Sequence, residues 1–213
     1  MHRAWCWVMA VTILGVGAVQ VRAADKKMVP EEGAVEVMLL LQPSVCKELN
    51  LSPDKRQKIE TFADGQWKKA QALANLDEQQ RDQQFQSMTK ENERFVGEVL
   101  SKDQKKRLDQ IILQTAGLLC VTRPHVAHEL KLSEEQKKRA AQMQQEARDE
   151  MEALIHQTSD EQKDAKLREL RETSRKRLME LLTDDQETKW KELTGAPFKG
   201  EIRFAEAKTT ATK

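Results

Sequence analysis

The chain is poor in aromatic residues, glycine and proline, and this composition already limits the fold classes it can adopt. Its 213 residues include no Tyr, five Phe, four Trp, eight Gly and five Pro. Sandwiches and barrels need frequent Gly and Pro turns, so the proline-less stretches 54–123 and 125–196 argue against them. A hydrophobic share of 38% is also small for the thick core of a large α/β enzyme. We therefore expect an all-α fold with a thin core.

Neither sign of charge dominates the chain. Lys and Arg number 36 against 35 Asp and Glu, which makes 33% of the residues charged at a formal net charge of +1. This balance leaves no basic field, and we expect no nucleic-acid partner. The sequence also has no Gly-rich phosphate loop, Gly-x-Ser-x-Gly elbow or Cys-x-x-Cys pair, and only four His. We therefore expect neither an enzyme nor a cofactor.

Residues 1–23 have the pattern of a secretory signal peptide. A short basic start precedes an apolar run over 4–19, and Val21-Arg22-Ala23 places small residues where signal peptidase needs them. The apolar run is shorter than the ~20 residues of a membrane-spanning helix. We expect cleavage after Ala23, export and no stable insertion in a membrane.

The remaining chain contains an internal duplication. Residues 43–76 match 124–157 at an offset of 81, and from Phe85 onward the offset is 82. The clearest matches are Pro43 with Pro124, Glu48-Leu49 with Glu129-Leu130, and Leu51-Ser52 with Leu132-Ser133. We predict an N-terminal segment with a short helix (24–41), two helical units (42–117 and 123–196) and a flexible C-terminal tail (197–213).

Within each unit the apolar residues recur every three or four positions, as on one face of a long helix. In the first unit this stripe includes Ile59, Phe62, Trp67, Phe85 and Phe95. All other positions are mainly Lys, Arg, Glu, Asp and Gln, which predicts long helices paired side by side with most of their surface in water.

A Leu followed by Ser or Thr occurs at four predicted helix starts. The pairs are Leu51-Ser52, Leu100-Ser101, Leu132-Ser133 and Leu182-Thr183. In the last three, a Gln stands three residues after the hydroxyl residue, at Gln104, Gln136 and Gln186, whereas the first has Lys55 there. This spacing predicts a capping box, in which the hydroxyl and the Gln side chain each accept a hydrogen bond from the other residue's backbone N–H.

These four stretches resemble the LTxxQ-motif proteins of the bacterial periplasm, the Spy/CpxP-like chaperone family. The stretches are KELNLSPDKRQKI (47–59), EVLSKDQKKRL (98–108), HELKLSEEQKKRA (128–140) and ELLTDDQETKW (180–190). A family member has two such motifs flanking a long helix, and this chain has that pair twice. The resemblance implies two tandem Spy-like units of long antiparallel helices and helical hairpins, which would form an elongated bundle or cradle as a monomeric pseudo-dimer or a homodimer.

The resemblance also implies a function and a location. We expect a periplasmic, ATP-independent, chaperone-like protein whose partners are unfolded or misfolded envelope proteins under stress. The alternative is a stress- or metal-responsive regulator that docks on a sensor protein.

One set of side chains has the spacing of a metal site. His125, His128 and Glu129 share an i, i+3, i+4 face of the short helix that follows Pro124 and could present two imidazoles and a carboxylate to Zn²⁺ or Cu²⁺. An ordinary surface helix explains the same residues, and we expect no metal.

Cys46 and Cys120 are the cysteines that remain after the predicted cleavage. Export places them in an oxidising compartment, where a disulfide between them would close a loop of about 74 residues. Buried thiols and an intermolecular bridge are the alternatives, because the sequence does not supply the distance between the two Cα atoms.

Overall fold

The computed structural model describes residues 34–157 and 160–202, and these residues form an all-α protein, as predicted. The helices are α1 (Ala34–Leu40), α2 (Pro43–Glu48), α3 (Pro53–Ala72), α4 (Glu78–Val99), α5 (Lys102–Ala116), α6 (Pro124–Glu129), α7 (Glu134–Gln157), α8 (Asp160–Leu181) and α9 (Asp184–Thr194). Two 3-10 helices, Leu73–Asn75 and Gly117–Cys120, follow α3 and α5. None of the described helices is both long and apolar enough to span a membrane. The predicted signal peptide (1–23) lies outside the described residues.

The described chain divides into two compact units. The first contains residues 34–102 and 200–202, and the second contains Asp103–Lys199. The boundary thus falls at the start of α5, whereas the sequence placed residues up to 117 in the first unit. Within the second unit, Arg107 and Gln114 of α5 hydrogen bond to the last residue of α9 and to the segment that follows it.

In the first unit, α1 packs against both α3 and α4, which run antiparallel to each other. The core consists of apolar side chains from all of these helices. Its members include Val37, Leu39, Leu40, Val45, Ile59, Ala63, Met88 and Val96. Helix α3 starts at Pro53 because Ser52 caps it, and α4 starts where the Asp77 carboxylate accepts a 2.8 Å hydrogen bond from the Gln80 N–H.

In the second unit, α7 and α8 form an antiparallel pair, and the 3-10 helix Gly117–Cys120 packs against both of them. The core of this unit includes Leu108, Ile111, Ile112, Leu118, Val126, Leu130, Ala140, Ala147, Leu178 and Trp190. Trp190 brings the last helix, α9, into this core, which gives the short C-terminal helix a buried anchor.

The first part of the predicted flexible tail is held in place. Gln114 Oε1 accepts a 2.7 Å hydrogen bond from the Phe198 N–H, and its Nε2 donates to the carbonyls of Thr194 and Ala196. Ser44 Oγ donates a 2.6 Å hydrogen bond to the Glu201 carbonyl. Within the predicted tail, the Phe198 N–H and the Glu201 carbonyl thus have side-chain partners, and residues 203–213 lie outside the described part.

Candidate functional site

Two of the four motif leucines close one helix and open the next. At the end of α2, the Leu51 N–H donates to the Cys46 carbonyl (3.0 Å) and the Asn50 N–H to the Lys47 carbonyl (3.1 Å). This is the Schellman pair of bonds, and Asn50 has the left-handed φ of 48° that it requires. Ser52, the next residue, then caps α3 by accepting from the Lys55 N–H at 3.3 Å.

The same bonds recur 81 residues later. The Leu132 N–H donates to the Ala127 carbonyl (3.0 Å), the Lys131 N–H donates to the His128 carbonyl (3.0 Å), and Lys131 has a φ of 51°. Both motif leucines are buried, with 2% and 5% of their surface exposed at Leu51 and Leu132. The Leu-Ser pair therefore anchors the junction in the core as well as capping the helix.

Leu100 and Leu182 stand at a different kind of junction, directly after the long helices α4 and α8. The Leu100 N–H donates to the Val96 carbonyl at 3.2 Å, and the Leu182 N–H to the Met179 carbonyl at 3.3 Å. Ser101 immediately precedes α5, which begins at Lys102, and Gln104 lies in its first turn. Both leucines are buried.

Two capping boxes have the reciprocal bonds that the spacing predicts. The Ser133 N–H donates to Gln136 Oε1 (3.0 Å), and the Gln136 N–H donates to Ser133 Oγ (3.1 Å). At the start of α9, the Thr183 N–H donates to Gln186 Oε1 (3.0 Å), and the Gln186 N–H donates to Thr183 Oγ1 (3.4 Å). Each box satisfies two backbone N–H groups that a helix start otherwise leaves without partners.

The two capping glutamines also bind each other. Gln136 Nε2 donates to Gln186 Oε1 at 2.7 Å, and Gln186 Nε2 donates to Gln136 Oε1 at 3.0 Å. Gln136 Nε2 further donates to the Leu181 carbonyl (2.9 Å), at the last residue of α8. We call this arrangement the glutamine clasp. It joins the starts of α7 and α9 to the end of α8, and nothing in the local spacing of either motif indicates it.

An apolar segment precedes the short helix α2 of the first unit and the short helix α6 of the second, at matching positions. Val37, Leu39 and Leu40 in the first unit correspond, at the offset of 81, to Leu118, Cys120 and Val121 in the second, and none of the six is more than 5% exposed. The sequence prediction started the units at 42 and 123 and so left these segments out. The apolar residues of the two segments are the sequence feature from which their burial could have been predicted.

Cys46 and Cys120 lie in different units, and each is a buried thiol. No disulfide occurs among the described residues, so the structure corresponds to the buried-thiol alternative. Cys46 Sγ donates a hydrogen bond to the Leu40 carbonyl at 3.0 Å. Burial raises the pKa of the Cys46 thiol, more than the nearby Arg56 lowers it, which keeps the sulfur protonated and able to donate.

The candidate metal ligands are not assembled into a site. His125, His128 and Glu129 are all exposed on α6, and the Glu129 carboxylate lies 3.6 Å from Lys189 Nζ, its ion-pair partner. No group of three or more His, Cys, Asp or Glu in the described part of the chain is arranged to hold a metal ion. An i, i+3, i+4 spacing places residues on one helix face but does not turn their side chains toward a common point.

The first unit carries an aromatic edge between α3 and α4. The rings of Phe62 and Phe95 stack across the two helices, with centroids 3.9 Å apart and planes 4° from parallel, and both side chains are only half-buried. Two turns farther along α3, Lys69 Nζ forms an ion pair with Glu91 Oε2 of α4, which also accepts from Gln66 Nε2 at 2.8 Å. These hydrogen bonds from Lys69 and Gln66 lower the pKa of the Glu91 carboxyl.

The second unit has no such edge at the matching positions. Met143 corresponds to Phe62 and Arg177 to Phe95, and Arg177 Nη2 donates to Glu150 Oε1 of α7 at 3.2 Å. An ion pair thus replaces the stacked rings. The stacked aromatic pair is therefore a feature of the first unit that the corresponding positions of the second unit do not share.

Comparisons of this chain with protein-family models, with curated proteins and with solved structures find no match.

Proposed function

We propose that this protein is an exported, ATP-independent, chaperone-like binding protein of the bacterial envelope, which holds unfolded or stressed proteins on the exposed edge of α3 and α4. The half-exposed Phe62–Phe95 stack beside the Lys69–Glu91 ion pair carries this proposal. Such an edge offers an apolar surface for side chains that an unfolded protein exposes. The charged side chains of Lys69 and Glu91 beside the rings keep this edge hydrated and are available to the polar backbone groups of an unfolded protein.

The chemistry of the edge fits weak, exchangeable binding. Half-exposed aromatic rings offer apolar contacts that many different side chains can make, whereas specific partners are usually recognised by deep pockets and directed hydrogen bonds. Long Lys stems add apolar contact while their ammonium groups stay hydrated. A holding protein without a nucleotide cycle needs this tolerance, because release depends on the client dissociating and folding.

The resemblance of the four Leu-Ser/Thr motifs to the LTxxQ-motif proteins points to the same function. The capping boxes at Ser133 and Thr183 and the glutamine clasp have a structural role, since their polar atoms are engaged with each other and with helix ends. They stabilise the scaffold that would present the binding edge.

The test is suppression of aggregation by the mature chain, measured by light scattering on several unrelated unfolding proteins. We expect protection at near-stoichiometric ratios, and at least a severalfold loss of protection in the double variant Phe62→Ser, Phe95→Ser. The matched control is Met143→Ser, Arg177→Ser, at the corresponding positions of the second unit, which should protect as well as wild type.

Two outcomes would count against the proposal. If no client is protected while one envelope protein binds tightly, the chain is the regulator that docks on a sensor. If both double variants protect equally well, the edge is not the binding surface.

A further inference from the structure

Lys58 is an exposed cation beside the aromatic edge of α3 and α4. It precedes Phe62 by four residues, so the two positions lie about 40° apart around α3 and about 6 Å apart along its axis. The buried residues of this helix are Ile59, Ala63 and Gln66. Lys58 and Phe62 therefore share one flank of α3, next to its buried face, and the Phe62 ring on this flank meets α4.

The other charges along this edge are paired with each other. Lys69, two turns beyond the rings on α3, forms an ion pair with Glu91 of α4. Glu98, one turn beyond the rings on α4, lies 3.8 Å from Arg94 Nε of the same helix. Each pair is neutral as a whole, so neither of them gives the edge a net charge.

Lys58 has no such partner. It forms no hydrogen bond or ion pair with any residue that the structure describes. Asp54, four residues earlier, has the spacing of an ion pair but is not joined to Lys58. It lies in the first turn of α3, where a carboxylate complements the positive end of the helix. The edge thus combines two half-exposed rings with one uncompensated positive charge.

The separation of Lys58 from Phe62 matches the repeat of an extended chain. Four residues of an α-helix rise about 6 Å, and side chains on one side of an extended chain recur every two residues, about 6.6–6.8 Å apart. An extended segment that places an apolar side chain on the rings therefore brings the side chain two residues away to the Lys58 ammonium group.

We propose that the aromatic edge prefers apolar segments that carry Asp or Glu two residues from the apolar side chain, and that Lys58 sets this preference. The inference rests on the proposed function, and it names the class of client segment that the edge takes. Because the ion pair would be exposed to water, its effect on affinity is modest and weakens as salt screens it.

The experiment follows the anisotropy of three fluorescein-labelled peptides during titration with the predicted mature chain. The peptides have the sequence Gly-Ser-Leu-Ser-X-Ser-Leu-Ser-Gly, with Glu, Gln or Lys at X, two residues from each leucine. At low salt we expect the Glu peptide to bind about two- to fivefold more tightly than the Gln peptide, and the Lys peptide to bind more weakly than both. These differences should shrink at about 0.5 M NaCl.

A matched pair of variants assigns the preference to one residue. Lys58→Glu should reverse the order of the three peptides, whereas Arg139→Glu, at the corresponding exposed position of α7, should keep the wild-type order. Both side chains are exposed, so both variants should unfold in urea at close to the wild-type midpoint. An unchanged order in Lys58→Glu, or the same reversal in Arg139→Glu, would overturn the inference.

Failure of this inference and failure of the proposed function have different signatures. Suppression of aggregation together with equal binding of the three peptides, or with binding of none, would overturn the acidic preference and leave the proposed function intact. Charge-ordered peptide binding that Lys58→Glu reverses, without protection of any client, would refute the holding function and leave Lys58 and the two rings as a binding site.

Discussion

The glutamine clasp makes a quantitative prediction about the stability of the second unit. Three hydrogen bonds of the Gln186 side chain are between 2.7 and 3.0 Å long: one from the Thr183 N–H and two shared with Gln136. At about 1 kcal/mol net for each bond, Gln186→Ala should lower the free energy of unfolding by about 3 kcal/mol. Gln136→Ala removes the same two shared bonds, one from the Ser133 N–H and one to the Leu181 carbonyl, and should cost about 4 kcal/mol.

The shared bonds are lost only once in the double variant. The sum of the two single-variant losses in unfolding free energy should therefore exceed the loss in the double variant by about 2 kcal/mol, which a double-mutant cycle measures directly. Urea unfolding followed by the fluorescence of Trp190, in a Trp67→Phe background, reports on the second unit because Trp190 is buried there. Gln142→Ala is the control, since its exposed side chain donates one hydrogen bond to Glu146, on the same face of α7, and it should change stability by less than about 0.5 kcal/mol. A coupling below about 0.5 kcal/mol between Gln136 and Gln186 would refute the clasp.

Three further predictions concern single positions. Lys131→Gly should raise the free energy of unfolding by about 1 kcal/mol in urea titrations, because glycine adopts the left-handed φ of 51° without strain. Asn50→Gly should raise it less, because Asn tolerates that region. A loss of stability in both variants would contradict the left-handed backbone at these two positions. Gly195→Ala should lower the melting temperature by an amount equivalent to about 1–3 kcal/mol, since Gly195 has φ 64° and ψ −154°, a region that only glycine adopts readily; an unchanged melting temperature would refute it. Because the folded-state pKa of Glu91 is lowered, its contribution to stability is complete above the ordinary Glu pKa of about 4.3 and is lost as the pH falls through the lower folded-state value. Glu91→Gln should therefore make stability less dependent on pH below about 4.3, and an unaltered acid unfolding profile would argue against the Lys69–Glu91 pair.

What the sequence could predict followed from local spacing. The three-residue interval from Ser133 to Gln136, and from Thr183 to Gln186, is sufficient for a capping box because both partners belong to one helical turn. The all-α fold followed from apolar residues at helical intervals and from the scarcity of Gly and Pro. In both cases the deciding interaction lies within a few residues along the chain.

What could not be predicted depends on contacts between distant residues. The pairing of Gln136 with Gln186 joins positions 50 residues apart, and no local pattern says which helix starts meet. Lys131 gave no sign of a left-handed backbone, since lysine rarely adopts it and the hydrogen bonds of the Schellman motif impose it there. The spacing of Glu129 from the two histidines of α6 suggested a metal ligand, whereas its carboxylate forms an ion pair with Lys189, which is 60 residues away in the sequence.

The junctions at Leu51 and Leu132 have a consequence for how the chain can change in length. Each leucine completes the bonds that end one helix, and the next residue caps the following helix, so no residue can be added or removed there without breaking both. We expect insertions and deletions instead at the turn between α3 and α4, where the backbone passes through a 3-10 helix and two extended residues, Leu76 and Asp77. The shift of the matching offset from 81 to 82 falls between Leu76 and Phe85, at that turn. The two halves of the duplication thus keep their junctions in register, and their one difference in length falls at the other end of the helical hairpins.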